Sequence, residues 1–212
     1  MTEEAKSTKT RILDAAEKLF AEHGPGGTSL RDITAAAGVN LAAVNYHFQS
    51  KEALMRAVVD RRIIPVQEAR LARLAEAADV EGRPDLTKVI EAFILPPLEM
   101  LLTAPQFVPL MGRIYTEPQF VEEILKKHIF PMKTRLMEAL TRACPHLSPE
   151  TMMWRIHFSI GSMTHIMAGT HIIRLSSGGA CDPTDVKRLR SQLVAFLVAG
   201  FEAPEPKDSQ YA

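Results

Sequence analysis

The sequence predicts an all-α protein, in which a small N-terminal module of three helices precedes a larger helical domain. Helix-favouring residues dominate the 212-residue chain, aromatic residues make up only 6%, and alternating β-branched runs are absent. Apolar residues recur at helical spacing, and glycines and prolines divide the chain into stretches of helix length. These observations together predict the fold class.

The composition is that of a globular protein, with 46% hydrophobic and 24% charged residues. Lys+Arg and Asp+Glu both number 25, which argues against a broad, non-specific binder of polyanions. Cys144 and Cys181 form neither a disulfide framework nor a metal motif, and the N-terminal stretch has no apolar signal core. We therefore expect a cytoplasmic protein with free thiols.

The first 50 residues are predicted to form three helices separated by glycine-containing turns. The range 8–23 carries a helical apolar stripe formed by Ile12, Leu13, Ala16, Leu19 and Phe20. After a glycine-rich turn, Thr28 or Ser29 is expected to cap a second, short helix. Asn40 is expected to cap a third helix that begins at Leu41.

Longer helices are predicted for the rest of the chain. Ser50 caps a fourth helix that reaches about Ala78, with a possible kink at Pro65, and the polar stretch 79–85 is a loop by composition. Beyond that loop we expect helices at about 86–104, 106–115, 117–143, 149–175 and 183–201, with Pro96–Pro97 and Pro131 bending or dividing theirs. The predicted domains are 1–51, 52–202 and a flexible tail at 203–212.

The third helix has one apolar and one polar face. Val44 and Phe48 lie four residues apart, so they share a face that is expected to pack inward against Leu13 and Ile33. The outward face then carries Leu41, Ala42, Asn45 and Tyr46, with His47 at its edge. Such a surface can enter a DNA major groove and contact base edges and thymine methyl groups. The alternative is an ordinary solvated helix surface.

Anchoring of the DNA backbone is expected just outside this helix. Lys51 and the backbone N–H groups at the start of the fourth helix can bind phosphate, as can Thr28, Ser29 and Arg31 around the start of the second. The helix itself contains no lysine or arginine, so this division of roles is consistent with its composition.

The sequence TRILDAAEKLFAEHGPGGTSLRDITAAAGVNLAAVNYHFQSKEAL, residues 10–54, resembles the DNA-binding domain of TetR/AcrR-type bacterial repressors. The resemblance implies a transcriptional repressor that binds a pseudo-palindromic double-stranded DNA operator as a homodimer. The residues predicted to bind DNA are Thr28, Ser29, Arg31, Asn40, Leu41, Ala42, Asn45, Tyr46, His47 and Lys51. The third helix departs from the family pattern at Ala43 and Asn45, where Thr and Tyr are usual, which suggests a different operator preference.

For the larger domain, the resemblance implies a helical region that dimerises and binds a small effector. The candidate lining residues are Phe93, Leu101, Phe107, Met111, Arg113, Trp154, His157, Phe158, Met163 and His165, because methionine and aromatic side chains suit an adaptable apolar cavity. For most of the apolar ones, ordinary core packing is the alternative. Arg113, Arg155, His157, His165 and Arg174 are candidates to bind a polar or anionic end of the effector.

Two helices of the larger domain are candidates for dimerisation. The helix at 149–175 is apolar or weakly polar all round, and the helix at 183–201 has charges only in its first half, so a four-helix interface with a second copy is expected. The alternative is that both are internal core. The stretches WRIHFSIGSMTHIMAG and NLAAVNYHF also resemble the PsrA-like, fatty-acid-responsive subgroup, which makes a fatty acid or acyl-CoA the expected effector.

Other function classes find little support. His157, His165 and His171 do not give the i, i+4 pair that a metal site on one helix face needs, so no metal and no cofactor are expected. The chain has no GxSxG, phosphate-loop, dinucleotide or HExxH motif, so we do not expect an enzyme. The stretch 156–173 is too polar to face lipid. A helical ligand- or partner-binding protein that no longer reads DNA remains the alternative, on account of Ala43 and Asn45.

Overall fold

The computed structural model describes residues 7–77, 83–108, 110, 122 and 124–206. The regular elements in these residues are α1 (Thr8–His23), α2 (Leu30–Ala37), α3 (Leu41–Phe48), α4 (Lys51–Glu76), α5 (Leu86–Thr103), a π-helical turn (Leu125–Ile129), α6 (Phe130–Ala143), α7 (Pro149–Ala168), α8 (Thr170–Ser176) and α9 (Val186–Glu202). No helix in the described ranges is long and apolar enough to cross a membrane. The all-helical prediction is confirmed.

Prolines and one glycine mark the main differences from the predicted helix limits. α4 and α5 continue through their prolines, whereas α6 begins beside Pro131, directly after the π-helical turn. The helix predicted at 149–175 is two helices, α7 and α8, separated at Gly169. A Cβ at Gly169 would lie 2.6 Å from the carbonyl oxygen of His165, so glycine is needed at this break. Most of the helix predicted at 106–115 and the start of that at 117–143 lie outside the described residues.

The chain divides into two compact units. The first unit comprises residues 1–65 and 104–121, and the second comprises residues 66–103 and 122–212. This division differs from the predicted limit at residue 51, because the first half of α4 and a later segment belong with the N-terminal helices. We call residues 104–108 and 110 the return segment. It is mostly apolar, and its buried members are Ala104, Phe107, Val108 and Leu110.

The core of the first unit lies between the short helices. Its fully buried side chains include Ile12, Phe20, Ile33, Val44 and Leu54, contributed by α1 to α4. The spacing of these residues gives each helix one apolar face, and burying those faces together stabilises a module too small to be held by helix propensity alone.

The second unit is built around α5. Ten of the 18 residues of this helix are buried, including both Pro96 and Pro97. The surrounding core comes from α6, α7 and α9, whose buried members include Met132, Leu136, Leu140, Met152, Ile156, Leu193, Val194, Leu197 and Phe201. α5 is apolar over most of its circumference, as expected of a helix at the centre of such a bundle.

The end of α9 is fixed by side chains from elsewhere in the second unit. The guanidinium of Arg155 donates hydrogen bonds to the carbonyl oxygens of Phe201, Ala203 and Pro204, the last at 2.9 Å. The carboxylate of Glu205 accepts a hydrogen bond from the backbone N–H of Ser148, the N-cap of α7. Residues 203–205 of the predicted flexible tail are thus held by hydrogen bonds. Arg155, predicted as an effector ligand, instead caps the C-terminus of a helix.

Candidate nucleic-acid interface

The turn between α1 and α2 is held by the buried hydroxyl of Thr28. This hydroxyl lies 2.9 Å from the carbonyl oxygen of Gly24 and 3.1 Å from that of Leu19, and its single proton is shared between them. The side chain therefore fixes the end of α1 instead of facing solvent. Because this hydroxyl is buried and engaged within the turn, the geometry argues against the predicted role of the Thr28 side chain in phosphate binding.

A capping box begins α2. The Oγ of Ser29 accepts a 3.2 Å hydrogen bond from the N–H of Asp32, and the carboxylate of Asp32 accepts a 2.9 Å bond from the N–H of Ser29. The hydroxyl of Ser29 also donates to this carboxylate, and these bonds lower the pKa of Asp32. Asp32 thus stays ionised at the positive end of the helix. Arg31 lies in the same turn, and its positively charged side chain is exposed.

The turn between α2 and α3 contains the residues that end the second helix and begin the third. Gly38 adopts a left-handed conformation (φ 63°, ψ 41°), which a residue with a Cβ rarely adopts, and it ends α2. Two residues later, the Oδ1 of Asn40 accepts a 2.9 Å hydrogen bond from the N–H of Ala43 and begins α3. The predicted cap at Asn40 is confirmed. This short turn between two short helices is a helix-turn-helix.

α3 exposes the face that the sequence predicted. Val44 and Phe48 are buried, whereas Tyr46 is 83% and Leu41 44% exposed. Ala42 and Asn45 are also exposed, so the four residues predicted to point outward do so. The ring of Tyr46 stands edge-on to that of His47, with 5.1 Å between the centroids. A large, exposed aromatic on a short helix, with small residues beside it, forms a convex surface that a DNA groove can accept.

The start of α4 completes this surface. Ser50 caps the helix by accepting a 3.0 Å hydrogen bond from the N–H of Ala53. The pKa of Glu52 is lowered, first by a bond from its own backbone N–H and then by Ser50. Lys51 donates 2.9 and 3.1 Å hydrogen bonds to the carbonyl oxygens of Pro25 and Thr28. Because an ammonium group has three N–H bonds, one remains for a phosphate.

A buried carboxylate that the sequence analysis missed links α1 to α4. Glu17 is 1% exposed, and its carboxylate accepts hydrogen bonds from Arg61 and from Arg62, the latter at 2.7 Å. Gln106 of the return segment donates a further bond of 3.1 Å. Burial alone would raise the pKa of Glu17, but the hydrogen bonds and charges of Arg62 and Arg61 outweigh it, so this pKa lies below its ordinary value.

The sequence contained a signal for Glu17. It lies four residues after Leu13 and three before Phe20, on the stripe of α1 that packs inward. A carboxylate at such a position requires a buried cation, because an isolated buried charge is strongly unfavourable. The partners could not be named from the sequence, since they lie 44 to 89 residues away.

The predicted effector residues that the structure describes are divided between the two units. Phe93 and Met163 are in the core of the second unit and Leu101 packs against it, whereas Phe107 is buried in the first unit. Met111 and Arg113 lie outside the described residues. The other four, Trp154, His157, Phe158 and His165, are exposed on α7.

The four exposed residues form part of an outward-facing surface on α7 and α9. The rings of Trp154 and Phe158 stack at 5.9 Å and are 56% and 63% exposed, and Phe196 of α9 is 66% exposed. A Cβ built at Gly161 or at Gly200 would meet nothing within 4 Å, so the surface is open there. The prediction that Trp154, His157, Phe158 and His165 line an interior cavity is therefore wrong. An exposed apolar surface of this type is typical of a site that packs against another helix.

Comparisons with known proteins agree with this architecture. Residues 12–58 match the family model described as bacterial regulatory proteins of the tetR family. Residues 91–200, more than half of the chain, match the model of tetracyclin repressor-like C-terminal domains. The first match covers α3 and the start of α4, and the second covers most of the second unit.

Individual relatives match over shorter stretches. The HTH-type transcriptional regulator UidR of Escherichia coli K12 is 31% identical over 129 residues, which make up 61% of this chain and 63% of UidR. TtgR of Pseudomonas putida is 38% identical over 77 residues, 36% of each chain. The structure of the fatty acid degradation regulator FadR from Bacillus halodurans superposes with a TM-score of 0.69 at 17% identity, over 94% of this chain and 99% of that one.

The curated alignments thus span less than two thirds of the length of UidR and TtgR, and the likeness to FadR is one of fold. The two family models together account for both the helix-turn-helix and the larger helical region. The chain belongs to the tetR family of bacterial regulatory proteins.

Proposed function

We propose that this protein is a cytoplasmic, sequence-specific DNA-binding regulator of transcription, acting as a ligand-responsive repressor. The observation that supports this most directly is the exposed face of α3. Tyr46 and Asn45 project from a helix whose opposite face is buried, and Tyr46 is 83% exposed. In the proposed complex α3 lies in the major groove, while Arg31, Lys51 and the N–H groups at the starts of α2 and α4 contact phosphates.

The proposed active form is a homodimer. The surface of α7 and α9 that carries Trp154, Phe158 and Phe196 exposes three large aromatic side chains to solvent. Packing it against the same surface of a second copy would give a two-fold symmetric four-helix interface. Such a dimer carries two copies of α3, and a pseudo-palindromic operator with half-sites about 34–36 Å apart would match them.

The proposed effector is a small hydrophobic or amphipathic molecule, and a long-chain fatty acid or acyl-CoA is the first class to test. The resemblance of the α3 and α7 sequences to fatty-acid-responsive repressors supports this class, as does the fold shared with a protein described as a fatty acid degradation regulator. To release DNA, the effector must bind better to the conformer in which the two copies of α3 cannot reach successive grooves.

The test is fluorescence anisotropy of the purified protein on the DNA upstream of its own gene, titrated with oleoyl-CoA and, separately, with oleate. Specific binding over a scrambled duplex, with a steep dependence on salt, would support the regulator. Release by either compound would support the effector class, whereas binding that neither disturbs would reject that class and retain the regulator. Failure to bind both this DNA and duplexes selected from a random pool would favour the helical ligand- or partner-binding protein.

A further inference from the structure

The residue that joins α3 to α4 has an unusual backbone conformation. Gln49 has φ 66° and ψ −41°, and in the described part of the chain it is the one residue other than glycine with a positive φ. The N–H of Ser50 donates a 2.7 Å hydrogen bond to the carbonyl oxygen of Phe48, two residues before it. This combination is the γ-turn with positive φ, which is rare and strained for a residue that carries a Cβ.

The chain is fixed on both sides of this turn. The N–H of Gln49 donates a 3.1 Å hydrogen bond to the carbonyl oxygen of Asn45, which closes the last turn of α3. Phe48, immediately before, is buried, and Ser50, immediately after, is the cap of α4. A single residue therefore connects two anchored helix ends, and the strain cannot spread into a longer loop.

The far side of the turn is held in place as well. Lys51, the first residue of α4, donates hydrogen bonds to the turn before α2 through its Nζ. The start of α4 and the start of α2 are thus tied together, and the φ and ψ of Gln49 contribute to the direction of α3 relative to both. Tyr46, three residues before Gln49, moves with that direction.

We propose that Gln49 is a positioning residue for DNA recognition, and that its strained backbone holds the face of α3 in register with the phosphate-binding starts of α2 and α4. This inference rests on the proposed DNA-binding function. Strained backbone conformations persist where the surrounding structure enforces them, and they concentrate at functional sites. Here the anchors on both sides enforce the strain, and the restricted φ of a residue with a Cβ limits the movement of α3.

Two substitutions distinguish the effect of the backbone conformation of Gln49 from the effect of its side-chain amide. Gln49→Gly removes the Cβ, so the turn is no longer strained and α3 gains freedom. Gln49→Ala removes the amide but keeps the Cβ, and hence keeps the restriction. The natural protein and both variants would be compared by thermal unfolding, and by anisotropy on a duplex selected from a random pool and on its scrambled counterpart.

For Gln49→Gly we expect two changes of opposite sign. The melting temperature should rise by about 2–4 °C, the shift typical of a small stabilisation in a chain of this size, although the greater freedom of glycine in the unfolded chain offsets part of the gain. Affinity for the selected duplex should fall on the order of tenfold, as for the loss of one base-reading contact, with affinity for the scrambled duplex unchanged. Gln49→Ala should match the natural protein in both measurements.

Each of the other outcomes would reject one part of the proposal. A melting temperature that does not rise in Gln49→Gly rejects the strain. A rise with unchanged specific affinity rejects the positioning role, and an equal loss of specific affinity in Gln49→Ala shows that the amide contacts DNA instead. Failure of the natural protein to prefer any duplex rejects the proposed function, and with it the positioning role; the melting temperatures still report on the strain.

Discussion

The ammonium group of Lys51 lies 3.1 Å from the carbonyl oxygen of Thr28, and this hydrogen bond ties the start of α4 to the turn before α2. The same group bonds Pro25 as well, so both of the helix starts proposed to face the DNA backbone depend on one side chain. Lys51 is therefore both a structural link and a proposed phosphate ligand. These two roles can be distinguished because they respond differently to salt.

Lys51→Met should weaken both the fold and DNA binding. Methionine keeps the apolar stem but donates no hydrogen bond, so the loss of bonds from a charged donor should cost about 1.5–3 kcal/mol in the free energy of unfolding. If Lys51 also contacts a phosphate, the slope of log affinity against log salt concentration should decrease by about 1. Urea unfolding and anisotropy at several salt concentrations measure the two effects. An unchanged slope would leave Lys51 a purely structural role.

Tyr46→Ala should abolish most of the specific binding without destabilising the protein. The tyrosine ring is 83% exposed, so its removal creates no cavity. The loss of its contacts with bases should cost about 1–3 kcal/mol of discrimination between the specific and the scrambled duplex. Anisotropy measures that difference, while thermal unfolding and sedimentation check that the fold and the dimer persist. Unchanged specific affinity would remove Tyr46 from the proposed interface.

Glu17→Gln should destabilise the first unit by about 3 kcal/mol, because breaking a buried ion pair leaves charges without a partner. Arg61 and Arg62 are about one-quarter exposed, with side-chain exposures of 24% and 27%, so water limits the penalty. Urea unfolding at neutral pH measures this loss. Glu22→Gln, on the exposed side of the same helix, is the matched control and should change stability little.

The stability that Glu17 contributes should also depend on pH. Its pKa in the folded protein lies below the ordinary value of 4.5 that applies to the unfolded chain. The contribution is therefore complete above about 4.5 and is lost as the pH falls through the lower, folded-state pKa. Unfolding measured between pH 6 and pH 3 should show a steeper acid loss in the natural protein than in Glu17→Gln. Parallel curves would contradict the ion-pair assignment.

Phe158→Glu should prevent the proposed dimer. The ring stacks on Trp154 and is 63% exposed, so a carboxylate there places like charges together across a two-fold interface without disturbing the core. Light scattering should report a monomer, and specific DNA affinity should fall because a monomer reaches one half-site. Phe130→Glu, on α6, replaces another exposed phenylalanine and should remain dimeric. A dimer in both variants would place the interface elsewhere.

Features governed by neighbouring residues could be predicted from the sequence. The cap at Asn40 and the burial of Val44 and Phe48 follow from interactions three or four residues apart, and the structure confirms them. The resemblance then identified the family correctly, because its motifs lie in this locally determined part of the chain.

Features set by distant contacts could not be predicted. The strain at Gln49 arises because the chain on either side of it is anchored. Trp154 and Phe158 were assigned to a cavity because an exposed apolar residue on a helix has the same sequence signature as a buried one. The break at Gly169 depends on one close approach to a carbonyl oxygen, which the apolar composition of 149–175 conceals.

The return segment has a consequence for biosynthesis. The first unit includes Phe107, which is fully buried, and Gln106, which bonds Glu17, yet both are translated after residues 66–103. At elongation rates of about 5–20 residues per second, the N-terminal helices leave the ribosome roughly 2–8 s before the residues that complete their core. During that interval the nascent chain exposes an unfinished apolar surface. If residues 1–65 alone were fused to another protein, the first unit would permanently lack Phe107 and Gln106.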